Sequence, residues 1–159
     1  IKNGLCAKNS IACYNINEKS DGIWLSYEIN TDKYGRMVIG TKNDSVIVKN
    51  NSITVNGDSG THGIRLFGPG TNIQVINNRI TALRGDPDSY GIEILNRFAP
   101  QYSNAILNYF GHNILVKGNV INRFGKSINF RINPPKDDAL LLEPLQNPIV
   151  TVYRNVTIP

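Results

Sequence analysis

Cysteine is almost missing from this sequence: Cys6 and Cys13 are the only two in 159 residues, and they form no CxxC motif. Two cysteines cannot make a disulfide framework, and His62 and His112 lack the spacing of zinc ligands. No metal or other cofactor is expected. Long hydrophobic runs are missing too. The longest wholly apolar stretch, Ala139 to Leu142, is far short of a membrane span, so no membrane insertion is expected. There is no compact Lys/Arg run and no basic motif interleaved with aromatics, which argues against nucleic acid as a partner. No signal-peptide pattern opens the chain. Ile1 begins inside what reads as a strand, so residues 1–159 are expected to be one domain cut from a longer chain.

What is abundant is asparagine and isoleucine, 22 and 21 residues against 11 leucines. Branching at Cβ favours isoleucine in strands, and asparagine favours tight turns. Many short strands joined by many turns make an all-β reading. The net charge of +5, with 18% charged residues, fits either a solvated basic surface or attraction to an acidic polymer, of which an acidic polysaccharide stays open.

A repeat organises the strands. "VIVKNNSITV" (46–55) aligns with "IQVINNRITA" (73–82), "ILVKGNVINR" (114–123) and "LCAKNSIAC" (5–13), and more loosely with "VTVYRNVTI" (150–158). The anchor asparagines are Asn9, Asn51, Asn78, Asn119 and Asn155. An asparagine there suits the backbone conformation of the turn, and its amide is placed to bond the asparagine of the next repeat. Asn50-Asn51-Ser52 also spells a glycosylation sequon, but Asn78 and Asn119 hold the same position without one, so a glycan is incidental. A second block follows each anchor: "DGIWL" (21–25), "HGIRL" (62–66), "YGIEI" (90–94) and "KSINF" (126–130). Both blocks alternate with period two and are therefore strands. Extra length falls after the second block, at roughly 27–45, 96–112 and 133–148. Insertions at one repeated position point to a solenoid, a parallel β-helix of about five coils with long loops on one edge. Stacking then puts Cys6 with Val48, Val75 and Val116, and Ile11 with Ile53, Ile80 and Ile121. Cys13 falls beside Val55, so both cysteines read as small core residues.

Through its "NN-x-I" and "GI-x-L" blocks the chain resembles the right-handed parallel β-helix (pectate-lyase-like) superfamily: pectate lyases, polygalacturonases, alginate epimerases and, most of all, bacteriophage tailspikes. The resemblance covers most of the chain and implies right-handed winding, an extracellular or virion-surface location and a polysaccharide partner. The enzymes' own motifs are thin. Asn30-Thr31-Asp32 and Thr61-His62-Gly63 match polygalacturonase fragments, but no paired aspartates lie between them and no RIK follows. The WiDH and DPHE motifs are missing, and "GDPDSYG" (85–91) only echoes the latter.

The same register predicts an outer ladder, Trp24, Arg65, Glu93 and Asn129, beside Ser26, Phe67, Leu95 and Arg131. Asp21, His62, Tyr90 and Lys126 stand at the strand entries. A tryptophan stacks on a sugar ring, an arginine grips a carboxylate, and Glu93 is the candidate general acid or base, with Asp86, Asp88, Tyr90 or His62 as its partner. Trp24, Arg65, His62, Tyr90, Asn129 and Arg131 are thus the candidate substrate contacts. The competing reading makes the ladder a cation–π contact and an exposed ion pair with no ligand. Calcium at Asp86 and Asp88 is a weakly signalled alternative, since a calcium site takes about six or more oxygens. The expectation is a protein that binds and cleaves a bacterial capsule or O-antigen polymer in a groove. The alternatives are a secreted lyase or epimerase acting on uronates, or a β-helical shaft without catalysis. Open sheet edges at both ends imply a longer chain or an oligomer, such as a homotrimer, that covers them.

Overall fold

The computed structural model describes residues 3–15, 19–26, 28–31, 33, 37–41, 43–67, 70–96, 113–132 and 150–159. Every regular element among them is a strand. Parallel strands make three sheets. The first contains Leu5–Ala7, Ile47–Lys49, Gln74–Ile76, Ile114–Lys117 and Val150–Tyr153, neighbours in that order. The second contains Ser10–Tyr14, Ser52–Asn56, Arg79–Ala82, Val120–Asn122 and Val156–Ile158. The third contains Asp21–Ser26, His62–Phe67, Tyr90–Asn96 and Lys126–Ile132. The chain visits the first, second and third sheets in turn. Each strand it adds to a sheet is parallel to the one laid down a pass earlier, giving five strands in each of the first two sheets and four in the third.

The expected register holds in the backbone pairing. Cys6, Val48, Val75 and Val116 succeed one another in the first sheet, and Ile11, Ile53, Ile80 and Ile121 in the second. Val48, Val75, Val116, Ile80 and Ile121 are completely buried. Burying one such side chain contributes about 1.5–3 kcal/mol, so these columns carry much of the stability. Cys6 and Cys13 are free thiols packed against the same core, as expected for small hydrophobes.

The turn between the first and second sheets divides its work between two neighbouring residues. The sequence expectation gave one asparagine both tasks, and here the structure corrects it. The left-handed conformation belongs to the residue before the anchor: Lys8, Asn50, Asn77, Gly118 and Arg154 have φ between 53° and 66°. Outside glycine this region costs about 1–2 kcal/mol, which asparagine lessens by local hydrogen bonding. At Gly118 a Cβ would also come within 2.2 Å of Asn77 Oδ1. The anchors themselves build a buried ladder. Asn51 donates its backbone N–H and its Nδ2 to Asn78 Oδ1, at 3.0 and 2.9 Å, and Asn78 does the same to Asn119 Oδ1, at 2.9 and 3.0 Å. Each anchor amide also donates to a carbonyl in the neighbouring strand, Asn51 to Cys6, Asn78 to Val48 and Asn119 to Val75. The ladder thereby satisfies backbone and side-chain groups that lie beyond the reach of water.

The glycine of the second block is set by close packing. A Cβ on Gly22, Gly63 or Gly91 would lie 2.4, 2.1 and 2.3 Å from Cγ2 of Ile53, Ile80 and Ile121 respectively. These glycines therefore face the core, and so do Ile23, Ile64 and Ile92, which follow them. Two successive inward positions interrupt the alternation, and the residue before each glycine swings to the outer side.

Of the insertions, 96–112 and 133–148 lie outside the described residues apart from Asn96, which ends a third-sheet strand. Within 27–45, Glu28–Thr31 and Met37–Thr41 pair antiparallel, and Asn43–Asp44 pairs parallel with Gly70–Thr71. The first insertion is thus an antiparallel ribbon where only a loop was expected. His112 lies outside the described residues.

Candidate functional site

The outer ladder of the third sheet pairs as expected: Trp24 with Arg65, Arg65 with Glu93, Glu93 with Asn129. The entry row Asp21, His62, Tyr90, Lys126 pairs alongside it. Because the glycine interrupts the alternation, this row and the ladder share the outer side and come into contact.

His62 is the hub. Its ring is 3% exposed, and each nitrogen meets a carboxylate: Nδ1 lies 2.6 Å from Asp21 Oδ1, and Nε2 lies 2.8 Å from Glu93 Oε2. A neutral imidazole has one N–H, so it donates only one of these bonds. Both contacts are hydrogen bonds when the ring is an imidazolium or when one carboxyl carries a proton. Glu93, 4% exposed, also accepts from Asn129 Nδ2 at 3.1 Å and lies 3.4 Å from Arg65 Nε. The Arg65 approach is an ion pair without hydrogen-bond geometry: Nε is buried and makes no hydrogen bond. Arg65 NH1 is 3.9 Å from Asp21 Oδ2, which ties the guanidinium to both carboxylates.

Aromatic rings frame this network. The Arg65 guanidinium lies 5.8 Å from the centre of the Trp24 ring and 5.4 Å from that of Phe67. Tyr90 stacks on His62 with centroids 5.3 Å apart and planes 10° from parallel. On its other side Lys126 Nζ sits 4.8 Å from the Tyr90 ring and donates to the Tyr90 hydroxyl at 3.2 Å and to Asp88 Oδ1 at 3.3 Å. The Tyr90 hydroxyl foremost, and then Asp88, hold the Lys126 ammonium above the ordinary lysine value. An open hollow of about 300 Å³ is lined by Lys19, Gly60, His62, Arg65, Phe67, Tyr90, Glu93 and Leu95. Trp24 stands at the same face with 57% of its surface exposed.

Of the sequence candidates, the structure brings together Trp24, Arg65, His62, Tyr90, Glu93 and Asn129. Arg131 pairs with Leu95 through its backbone, and its side chain lies outside the described residues. Asp86 and Asp88 do not join Glu93: Asp86 accepts from the backbone N–H of Asp88 in its own turn, and Asp88 faces Lys126. Among the described residues, no group of three or more His, Cys, Asp or Glu is arranged to hold a metal ion. The residue that sequence reasoning left without a role is Asp21. Its direct pairing with His62 in the aligned row was the available signal.

The geometry also limits the chemistry. Glycosidase carboxylates flank the bond they cleave, with open space between them for sugar or water. Here the His62 ring fills the space between Asp21 and Glu93, so those two are not such a pair. Of the competing reading, both the cation–π contact of Arg65 with Trp24 and the ion pair with Glu93 are present, the pair being buried at Glu93 rather than exposed. No protein-family model matches the chain, and no curated protein or solved structure shows significant similarity to it.

Proposed function

We propose that the chain is a right-handed parallel β-helix of about five coils, and that it binds a linear polysaccharide along the outer face of the third sheet. The cyclic return to three parallel sheets supports the winding, and the strong preference of parallel crossovers supports its hand. One observation carries the binding reading. An exposed Trp24 stands beside Arg65, whose guanidinium is anchored from behind by two carboxylates and bordered by a polar hollow. Tryptophan offers a face for a sugar ring, and a guanidinium fixed in this way recognises a carboxylate or hydroxyl pair with little further loss of entropy. A bacterial capsule or O-antigen polymer fits the resemblance to tailspikes, and with it an extracellular or virion-surface setting and assembly as a homotrimer or within a larger chain.

Cleavage is the second reading, favoured by the 2.8 Å contact between His62 Nε2 and Glu93 Oε2 at the base of the hollow. An imidazole and a carboxylate in such contact are groups of the kind that serve as general acid or base. The distinguishing experiment incubates the protein with a panel of capsular, O-antigen and uronate polymers, scoring binding, new reducing ends and ultraviolet absorbance of unsaturated ends. Binding that is lost in Trp24→Ala and Arg65→Ala is expected. Products that vanish in Glu93→Gln would add hydrolase, lyase or epimerase chemistry. Failure to bind any polymer would overturn the reading and leave a rigid shaft.

A further inference from the structure

The charged residues of this protein are segregated by position in a way that their dispersal along the chain conceals. At the turn between the first and second sheets lie residues 7–10, 49–52, 76–79, 117–120 and 153–156. They include Lys8, Lys49, Arg79, Lys117 and Arg154, and no aspartate or glutamate. Each pass contributes one cation, and the edge alone carries a charge equal to the net +5 of the whole chain. Lys8, Arg79 and Arg154 are exposed, and Lys49 and Lys117 are half-buried along their stems.

Three cations elsewhere stand in ion pairs. Arg65 faces Glu93 and Asp21, Arg84 pairs with Asp58, and Lys126 with Asp88. Among the described residues no carboxylate lies within ion-pair distance of the five edge cations. Pairing also shows how their repulsion is limited. Lys49 and Lys117 share one row but are separated by Ile76, while Arg79 stands in another row beside Ser52 and Val120. No two cations face each other on adjacent strands, where like charges destabilise most. The edge is thus a staggered line of positive charge about 19 Å long, with one charge per strand spacing of about 4.8 Å.

We infer that this edge binds a linear carboxylated polysaccharide, a polyuronate lying along the stacking direction. A sugar ring spans roughly one strand spacing of about 4.8 Å, so the carboxylates that turn toward the edge meet cations at matching intervals. Single-stranded nucleic acid needs aromatic platforms for its bases. The edge has one aromatic residue, Tyr153, and Lys117 Nζ already lies 5.0 Å from its ring. The site is separate from the Trp24 face and stands or falls independently of it.

The test measures retention of the 159-residue chain on immobilised polygalacturonate, with neutral dextran, heparin and oligo(dT) as parallel matrices. Expected are retention on polygalacturonate at low ionic strength, a steep loss with added salt, and none on dextran. The triple variant Lys49→Gln/Arg79→Gln/Lys117→Gln is expected to bind polygalacturonate about tenfold more weakly, as several exposed ionic contacts together allow. Its circular dichroism should match that of the parent. Trp24→Ala should leave this salt-sensitive fraction in place, which separates the edge from the third-sheet groove. Unchanged binding by the triple variant, retention on heparin alone, or tighter binding to oligo(dT) than to polygalacturonate would each overturn the inference.

Discussion

Replacing Asn78 with alanine tests the asparagine ladder directly. Asn78 is 1% exposed, and its side chain makes four hydrogen bonds. Oδ1 accepts from the backbone N–H and the Nδ2 of Asn51, at 3.0 and 2.9 Å, while Nδ2 donates to Asn119 Oδ1 and to the Val48 carbonyl, both at 3.0 Å. Alanine removes all four. Asn51 Nδ2 keeps its bond to Cys6, and Asn119 Oδ1 keeps the Asn78 backbone N–H. The Asn51 N–H loses its ladder acceptor, and the Val48 carbonyl loses its amide donor. A buried group left unsatisfied costs about 1–3 kcal/mol, so the expected loss is about 3–5 kcal/mol. That is a large share of the roughly 5–15 kcal/mol by which domains are stable. The neighbouring Asn77 supplies the control. It is exposed and has φ +53°, so Asn77→Gly should change stability by a few tenths of a kcal/mol and Asn77→Ala should cost about 1. Urea unfolding followed by circular dichroism reads all three, with the slope against denaturant unchanged. Equal, small losses at Asn77 and Asn78 would refute the division of labour between the two residues.

Three further outcomes follow from the site and its support. Glu93→Gln leaves Arg65 and His62 beside a neutral amide. With breaking a buried ion pair costing about 3–5 kcal/mol and the amide keeping some hydrogen bonds, a loss of about 2–4 kcal/mol is expected in the same unfolding assay. Gly63→Ala drives a Cβ to within 2.6 Å of the Gly91 carbonyl as well as onto Ile80, and should cost about 1–3 kcal/mol, read as a lower midpoint; an unchanged midpoint would show that the glycine is not needed for packing. Because folding raises the Lys126 pKa above 10.5, its contribution is complete below that value and is lost as pH rises through the folded value. Tyr90→Phe removes the leading cause and should lower the Lys126 titration midpoint observed by NMR, and a midpoint that does not fall would contradict that cause.

Residue patterns alone determined the strand rows. Period-two alternation and two recurring blocks are local properties of the chain, and a one-residue slip would turn the isoleucines outward, so the pairings Trp24–Arg65–Glu93–Asn129 and Ile11–Ile53–Ile80–Ile121 were legible in advance. The tertiary structure decided how neighbouring rows meet. His62 reaches Glu93 because Gly63 must pack against Ile80, a contact between passes that local alternation does not encode. Asp21 became part of the site for the same reason, and Glu93 proved a buried carboxylate held by His62, Arg65 and Asn129 where an exposed one was an open alternative. The left-handed residue is Asn50 and the ladder residue Asn51, because backbone strain is paid at the turn while hydrogen bonding between passes belongs to the residue that points inward. Charge shows the contrast most plainly. Lys8, Lys49, Arg79, Lys117 and Arg154 lie dozens of residues apart in the chain, and only stacking at one strand spacing per pass turns them into a single line of positive potential.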